Sequence, residues 1–479
     1  MKFIWYYLTT QTKNGSAFMK NISLAIVCFL FSTVVNGQQD SNKTLLSKLD
    51  MDYLETLTRD VMESSRIYPR QKISDDFGSN NTGIVLIRPG GRSSYPAYWI
   101  RDYAMSIESG FVTTEEQKQL LLLTAKTQCD QTWISNAGSM IPVGAIADHI
   151  RMDDSKPIFF PGTYDYHEQG GKTWGMTPPY CDQYFFIHMA YYYATVTASA
   201  KFLLQQINGL PLIDRLEMAY KVPPTRQDST AVYTTDDFRG VDFGFRDVIT
   251  MTGELCFPSL LKYRASVELA ELFELINRKD KAHFYTTIAA SLKHAIPRIF
   301  YDGRGMLLAS TGKSRQADVW STAMAVYLGV LEGDQLTKTC QFLCRAYKGG
   351  WLSAKGNIRH VLTIDDYNDS TAWENSLVPK NRYQNGAYWG TATGWVCFAI
   401  AKADMNAAKQ LAKEYIADLR GGDYRKGPEF GAPWECYNKD TPQNAVYIAS
   451  VSCPFIAFKK QSLAGSKIPL KNSKKFRVQ

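Results

Sequence analysis

The feature that most constrains this chain is apolar spacing of the i, i+3, i+4 kind, recurring in neighbouring segments joined by short polar turns. The spacing predicts helices over 45–67, 115–135, 182–207, 255–277, 282–300, 317–331, 335–347, 394–403, 407–419 and 444–459. Two pairs are plain: 255–277 turns into 282–300 through Arg278-Lys279-Asp280, and 317–331 into 335–347 through Glu332-Gly333-Asp334. A helix with one apolar stripe must cover it, and a short turn offers the next helix as the cover, so the expected unit is an αα-hairpin. Strand-like alternation is scarce, and no Pro/Ser-rich linker divides the chain.

Longer loops separate the pairs: 84–101, 143–180, 221–253, 348–393 and 421–441. Loops of that length inside a compact domain are functional or disordered. These are rich in Trp and Tyr, whereas disordered segments are poor in aromatics. One domain of hairpins closing on itself, with its loops gathered on one face, is therefore expected.

The N-terminus bounds location. Lys20, the apolar run Ile22–Val35 and the small Gly37 form a secretory leader, with Met19 a candidate start. The expectation is a leader over 1–37, a catalytic domain over 38–465, a basic tail over 466–479, and export to the periplasm or beyond. The formal charge of +8 loses Lys2, Lys13 and Lys20 with the leader, leaving 8 − 3 = +5. No basic run interleaves with aromatics, so nucleic acid is not an expected partner, and the Lys471–Lys475 cluster reads as a solvated tail. No further stretch approaches the ~20 apolar residues that a bilayer requires.

Eight cysteines follow the leader without metal-finger spacing, and a chain this long builds a core without staples, so free buried thiols are expected. His149, His167 and His188 show no ligand spacing. The acidic stretch Asp365-Asp366-Tyr367-Asn368-Asp369 lacks the glycine and final Glu of a calcium loop. There is no phosphate-cradling glycine motif. Neither metal nor cofactor is expected.

What the loops do hold is carboxylates beside aromatics and arginines. Glycosidic cleavage needs such a pair: one carboxylic acid protonates the leaving oxygen, and one carboxylate activates water or attacks. A carboxyl among aromatics is desolvated and keeps its proton, while one near arginines is favoured as the anion. Trp99, Trp174, Trp389 and Trp434 could floor a sugar pocket.

Five ordered segments carry a resemblance. Pro89-Gly90-Gly91-Arg92 followed by Tyr98-Trp99-Ile100-Arg101-Asp102-Tyr103 resembles the first trehalase signature. Thr177-Pro178-Pro179-Tyr180 is similar to the family's Gln-Pro-Pro before a buried helix. Gly240-Val241-Asp242-Phe243-Gly244-Phe245-Arg246 is similar to the segment that holds its acid. Gln384-Asn385-Gly386-Ala387-Tyr388-Trp389 resembles the second signature, and Glu435-Cys436-Tyr437-Asn438 the segment that holds the base in trehalases and their glucosidase relatives.

The resemblance implies an all-α (α/α)6 toroid, the six-hairpin glycosidase architecture, with its site at one end. It implies an inverting exo-glycosidase on an oligosaccharide or disaccharide, with Asp242 as general acid and Glu435 as general base. It also implies sugar contacts by Arg92, Tyr98, Trp99, Arg101, Asp102, Arg246, Gln384, Asn385, Trp389 and Trp434. Asp236, Asp237 and Asp247 are rivals to Asp242 in the same loop, and Trp373-Glu374 competes with Trp434-Glu435. The Gln-Asn-Gly of the second signature and the Ile-Arg before Asp102 depart from the family, which loosens trehalose as the substrate more than it loosens the reaction. A polysaccharide lyase or unsaturated-uronide hydrolase on the same toroid, acting on an anionic sugar, and a sugar-binding protein without catalysis are the alternatives.

Overall fold

A computed structural model describes residues 44–92, 94–134, 139–159, 179–238, 240–439 and 441–465. The segments expected to be a leader and a basic tail, with His167 and Trp174, lie outside the described residues.

The helices, in chain order, are α1 Lys48–Ser64, α2 Ile100–Ser106, α3 Thr114–Lys126, α4 Tyr180–Thr197, α5 Leu212–Lys221, α6 Cys256–Leu275, α7 Lys279–Phe300, α8 Val319–Tyr327, α9 Gly333–Lys348, α10 Thr393–Ala401, α11 Met405–Gly422 and α12 Ala449–Gly465. The even-numbered helices form a closed ring: α2 packs on α4, α4 on α6, α6 on α8, α8 on α10, α10 on α12, and α12 back on α2. The others lie outside it, with α3 and α5 on α4, α7 on α6, α9 and α11 on α10, and α1 on α12. This is the (α/α)6 toroid.

Outer and inner helices differ in the chemistry that makes them. On α9 only Thr339, Cys340, Leu343, Cys344 and Ala346 are buried, a single stripe. On α10 Thr393 to Ile400 are all buried, because a ring helix meets neighbours on every side. Starts are capped where the sequence supplies an oxygen: Ser47 caps α1, Thr113 and Glu116 close a capping box on α3, and Asp318 and Asp404 cap α8 and α11. All eight described cysteines are free and buried, as expected.

The ring closes between the two ends of the chain. Ser106 and Ser452 hydroxyls meet at 2.7 Å, Ile448 N–H donates to the Pro89 carbonyl at 2.8 Å, and Gly91 N–H donates to Val446 O at 3.0 Å. A side chain at Gly91 would press on Ser64 and Val446, so the strap that joins the ends passes there only as glycine.

Three differences from the sequence reading have physical causes. Ile100–Ser106 was absent from the expected helices and begins at the end of the expected loop 84–101. Six of its seven residues are buried, so it has no polar face to set a period. Leu212–Lys221 was absent from the expected helices. Residues 442–445 form a strand instead of starting the last helix. Small sheets shape the loop face: β1 Ala97–Trp99, β2 His149–Arg151 and β3 Pro157–Ile158 make one, and β4 Ser353–Ala354, β5 Asn357–Arg359, β6 Tyr388–Trp389, β7 Trp434–Tyr437 and β8 Pro442–Ala445 make an antiparallel five-stranded meander. Strands of two to four residues are too short to show alternation in a sequence.

Candidate active site

A cavity of about 160 Å³ opens at the end of the ring where the inner helices begin. It is lined by Tyr95, Trp99, Arg101, Asp102, Asp148, Gly244, Phe245, Asp247, Tyr383, Glu435 and Tyr447. The β7–β8 hairpin delivers Glu435: its register pairs Trp434 with Ala445 and Cys436 with Gln443, which sets Glu435 across from Asn444. Glu435 Oε2 accepts from the Tyr95 hydroxyl at 2.8 Å and from Asn444 Nδ2, and Oε1 faces the Tyr383 hydroxyl at 3.4 Å. Asn444 Nδ2 also donates to the Tyr95 oxygen at 3.0 Å.

The opposite wall is built around Arg101. Its guanidinium reaches Asp148 at 2.6 Å, Asp182 at 3.3 Å and Asp102 at 3.9 Å, while Tyr447 donates to Asp102 Oδ1 at 2.5 Å. Asp148 also accepts from His149 Nδ1 at 2.7 Å, and the His149 ring stacks on Trp99 with centroids 4.1 Å apart. Gly244 lies against the Arg101 guanidinium so closely that a Cβ there would collide with it. Gly244→Ala is therefore expected to displace Arg101 and to lower turnover by about 10²-fold, the cost of an ~1 Å misplacement, with the circular-dichroism spectrum unchanged.

Asp247 follows in the same loop. Gln384 holds it in place: its amide nitrogen bonds to Asp247 Oδ1 and reaches the Gly244 carbonyl at 3.3 Å, and its oxygen accepts from Val248 N–H at 2.9 Å.

Burial dominates the electrostatics. It raises Glu435 to about 7, against the Asn444 and Tyr95 hydrogen bonds and with help from the nearby charges of Asp102 and Asp247. Burial likewise raises Asp247 to about 6, against Arg101 and Gln384, and Asp102 to about 6, against Arg101 and Tyr447. For Asp148 burial is outweighed by Arg101 and His149, and its carboxyl falls to about 2. Tyr95, Tyr383 and Tyr447 are pushed up by burial and by neighbouring carboxylates, so all three remain protonated donors. Because the carboxylates repel one another, the cavity gives up its protons in steps and retains one near neutrality.

The structure sorts the expected residues. Trp99, Arg101, Asp102 and Glu435 meet in the cavity. Asp242 does not line it: both of its oxygens are sealed from solvent, and Oδ2 lies 2.6 Å from Arg246, which also pairs with Asp318. Asp242 and Arg246 therefore belong to an ion cluster inside the ring, where burial lifts Asp242 to about 6 against the pull of Arg246. Tyr98 is a core residue with its hydroxyl near Thr124, and Trp389 is a core residue against Phe245 and Tyr383. Asn385 ties the 371–373 turn, and Arg92 donates to the carbonyls of Pro428 and Phe430. Trp434 covers Gly431 and is not among the cavity residues.

Tyr95, Asp148, Phe245, Tyr383, Asn444 and Tyr447 were not singled out in the sequence, and Asp247 stood only as a rival. One signal was available. Ile100-Arg101-Asp102 and Phe245-Arg246-Asp247 repeat an apolar-Arg-Asp pattern, and in both the arginine is buried among carboxylates while the following aspartate faces the cavity.

No protein-family model matches the chain, and no curated protein matches it in sequence. Solved structures do match. A mannosylglycerate hydrolase of glycoside hydrolase family 63 from Thermus thermophilus, in complex with Tris and D-glycerate, superposes with a TM-score of 0.50 at 12% identity over 84% of this chain and 99% of that one. A glycosidase variant in complex with glucose gives 0.52 at 10% identity over 87% and 99%. A rhamnosidase from Klebsiella oxytoca with rhamnose bound is longer: this chain spans 65% of it, at a TM-score of 0.49. The ring of six inner helices and the likeness to the first two of these structures agree, and the chain has the six-hairpin glycosidase fold.

Proposed function

We propose that the protein is an exported inverting exo-glycoside hydrolase, an α-glucosidase or trehalase-like enzyme on a small or terminal neutral sugar, with Asp247 in place of Asp242 as general acid and Glu435 as general base. The observation that carries this reading is that Asp247 and Glu435 face one enclosed cavity, each influencing the other's ionisation, while Asp242 is sealed in an ion pair. Three donors face Glu435 and favour its anion, as a base requires, while Asp247 receives the Gln384 amide. The inverting course rests on the resemblance of the Glu435 segment to the family's base segment.

Size and charge narrow the substrate. Pockets for drug-sized ligands run from about 300 Å³ upward, and this one, at about 160 Å³, suits a single sugar ring. Arg101 is committed to Asp148 and Asp182, and Arg246 to Asp242 and Asp318, so neither is available to a uronate. That observation favours a neutral sugar over the lyase and uronide-hydrolase readings. The leader over 1–37 supports export.

A panel of neutral disaccharides and nitrophenyl glycosides, with the product anomer followed by NMR, tests the proposal. Inversion at the anomeric carbon is expected, and retention or no cleavage across the panel overturns it. The pH profile of kcat/KM is expected to be a bell centred roughly midway between the two shifted carboxyls. The acid Asp247, raised to about 6, loses its proton above that value, and the base Glu435, raised to about 7, is protonated below it, so the active pair of states is a minor population at every pH.

A further inference from the structure

Glu435 is gripped in an unusual way. The three residues that touch its carboxylate, Tyr95, Tyr383 and Asn444, all have left-handed backbone, at φ 62°, 45° and 45°. Non-glycine residues are uncommon in that region, and they persist where the surroundings hold them. The surroundings here are plain. Tyr95 leaves a loop whose preceding carbonyls, Arg92 and Ser94, are tied by the Arg88 guanidinium. Asn444 sits on β8 across from Glu435, and Tyr383 N–H is held by Asn438 Oδ1 at 2.7 Å. The grip is also uneven: two donors converge on Oε2, and Oε1 has only the longer Tyr383 contact.

We propose that Asn444 and Tyr95 are positioning residues that hold Oε2 of Glu435 in a fixed bond pattern and leave Oε1 as the oxygen that takes the proton of the attacking water. This rests on Glu435 being the base. A carboxylate oxygen already accepting two hydrogen bonds has little lone-pair density left for a third proton, whereas Oε1, with the longer Tyr383 contact, keeps a lone pair open. As the Oε1–H bond forms, the water O–H bond breaks and its oxygen bonds to the anomeric carbon, while that carbon's bond to the leaving oxygen breaks and Asp247 gives that oxygen its proton. After product release Glu435 loses its proton to solvent and Asp247 takes one up, so atoms and charge balance over the cycle. Asn444 is suited to this place, since asparagine tolerates the left-handed region that its strand position requires and its amide supplies the donor.

The groups facing Glu435 are Tyr95, Tyr383, Asn444, Asp102, Asp247 and Tyr447, with Cys436 adjacent in sequence. Only the donors among them favour its anion. Removing a donor must therefore raise its proton affinity, and the alkaline limb of the kcat/KM profile, which Glu435 sets near 7, must move to higher pH.

The test compares Asn444→Gly, which keeps the backbone conformation and loses the donor, with Asn444→Ala and Tyr95→Phe, using the best glycoside from the panel. Asn444→Gly and Tyr95→Phe are expected to lower kcat by about 10-fold or more, leave KM within about 2-fold, and move the alkaline limb upward by at least about half a pH unit, since each removes one hydrogen bond to the charged carboxylate. Asn444→Ala adds a loss of thermal stability through its backbone. A wild-type alkaline limb and kcat in folded Asn444→Gly and Tyr95→Phe overturn the proposal. Glu435→Gln separates the two levels: if it keeps full activity the base assignment itself fails, and if it is inactive while Asn444→Gly behaves as wild type only the positioning role fails.

Discussion

Asp247→Asn and Glu435→Gln are each expected to lower kcat/KM by about 10²–10⁴-fold on a natural-type glycoside, the usual contribution of a positioned acid or base. Asp242→Asn is expected to stay within about 10-fold once corrected for folded protein. The contrast follows from where the carboxyls sit: Asp247 and Glu435 line the cavity, while Asp242 spends its charge on Arg246 inside the ring. Leaving groups separate the first two. A nitrophenolate departs without protonation, so Asp247→Asn should recover most of its rate on nitrophenyl glycosides, whereas Glu435→Gln should not, because activation of water is needed for either substrate. If Asp242→Asn is the variant rescued by the better leaving group, the acid is Asp242 and the placement of Asp247 is structural.

Arg101→Met is expected to cost the most in stability. The guanidinium is 7% exposed and is the shared counter-charge for Asp148, Asp182 and Asp102. Breaking a buried pair by removing one partner costs about 3–5 kcal/mol, because the other charge is left without compensation. Here three are left. The expected result at pH 8 is a large fall in melting temperature or insoluble protein. The sign of its pH dependence follows from the carboxyls: without Arg101 their folded-state pKa values rise above the unfolded ones, so the penalty is present at high pH and fades as pH falls through those raised values. Thermal melts from pH 8 to pH 5 should show the deficit shrinking, and a constant deficit would mean that Arg101 contributes by packing alone. Arg101→Lys should recover little, since one ammonium cannot reach three carboxylates in the guanidinium's geometry.

The architecture was legible where helices have two unlike faces. Outer helices such as Gly333–Lys348 and Met405–Gly422 bury one stripe and announce their period. The buried seven-residue Ile100–Ser106 has no such contrast, and its place was marked only by the signature around it. At the site, Glu435, Arg101, Asp102 and Trp99 were found through ordered segments. Tyr95, Tyr383 and Asn444 could not be, because what makes them part of the site is backbone turned to positive φ and contacts across 340, 52 and 9 positions of chain. The change from Asp242 to Asp247 has the same origin. Five residues apart in one loop, both fit a carboxylate beside an arginine, and only the three-dimensional path decides which arginine neutralises which acid.

The strap between Pro89–Gly91 and Val446–Ile448 makes the site a product of completion. Asp102 comes from the first ring helix, and its hydrogen-bond donor Tyr447 immediately precedes the last; Glu435 takes its donor from Tyr95 at the far end of the chain. A growing polypeptide holds Asp247 long before it holds Glu435, and Glu435 before it holds Asn444, Tyr447 and the last ring helix, so a chain with both carboxylates still lacks the donors and the helix that set them. Catalysis is thereby reserved for molecules whose final hairpin has docked against the first, and each turnover reports that the circle has been joined.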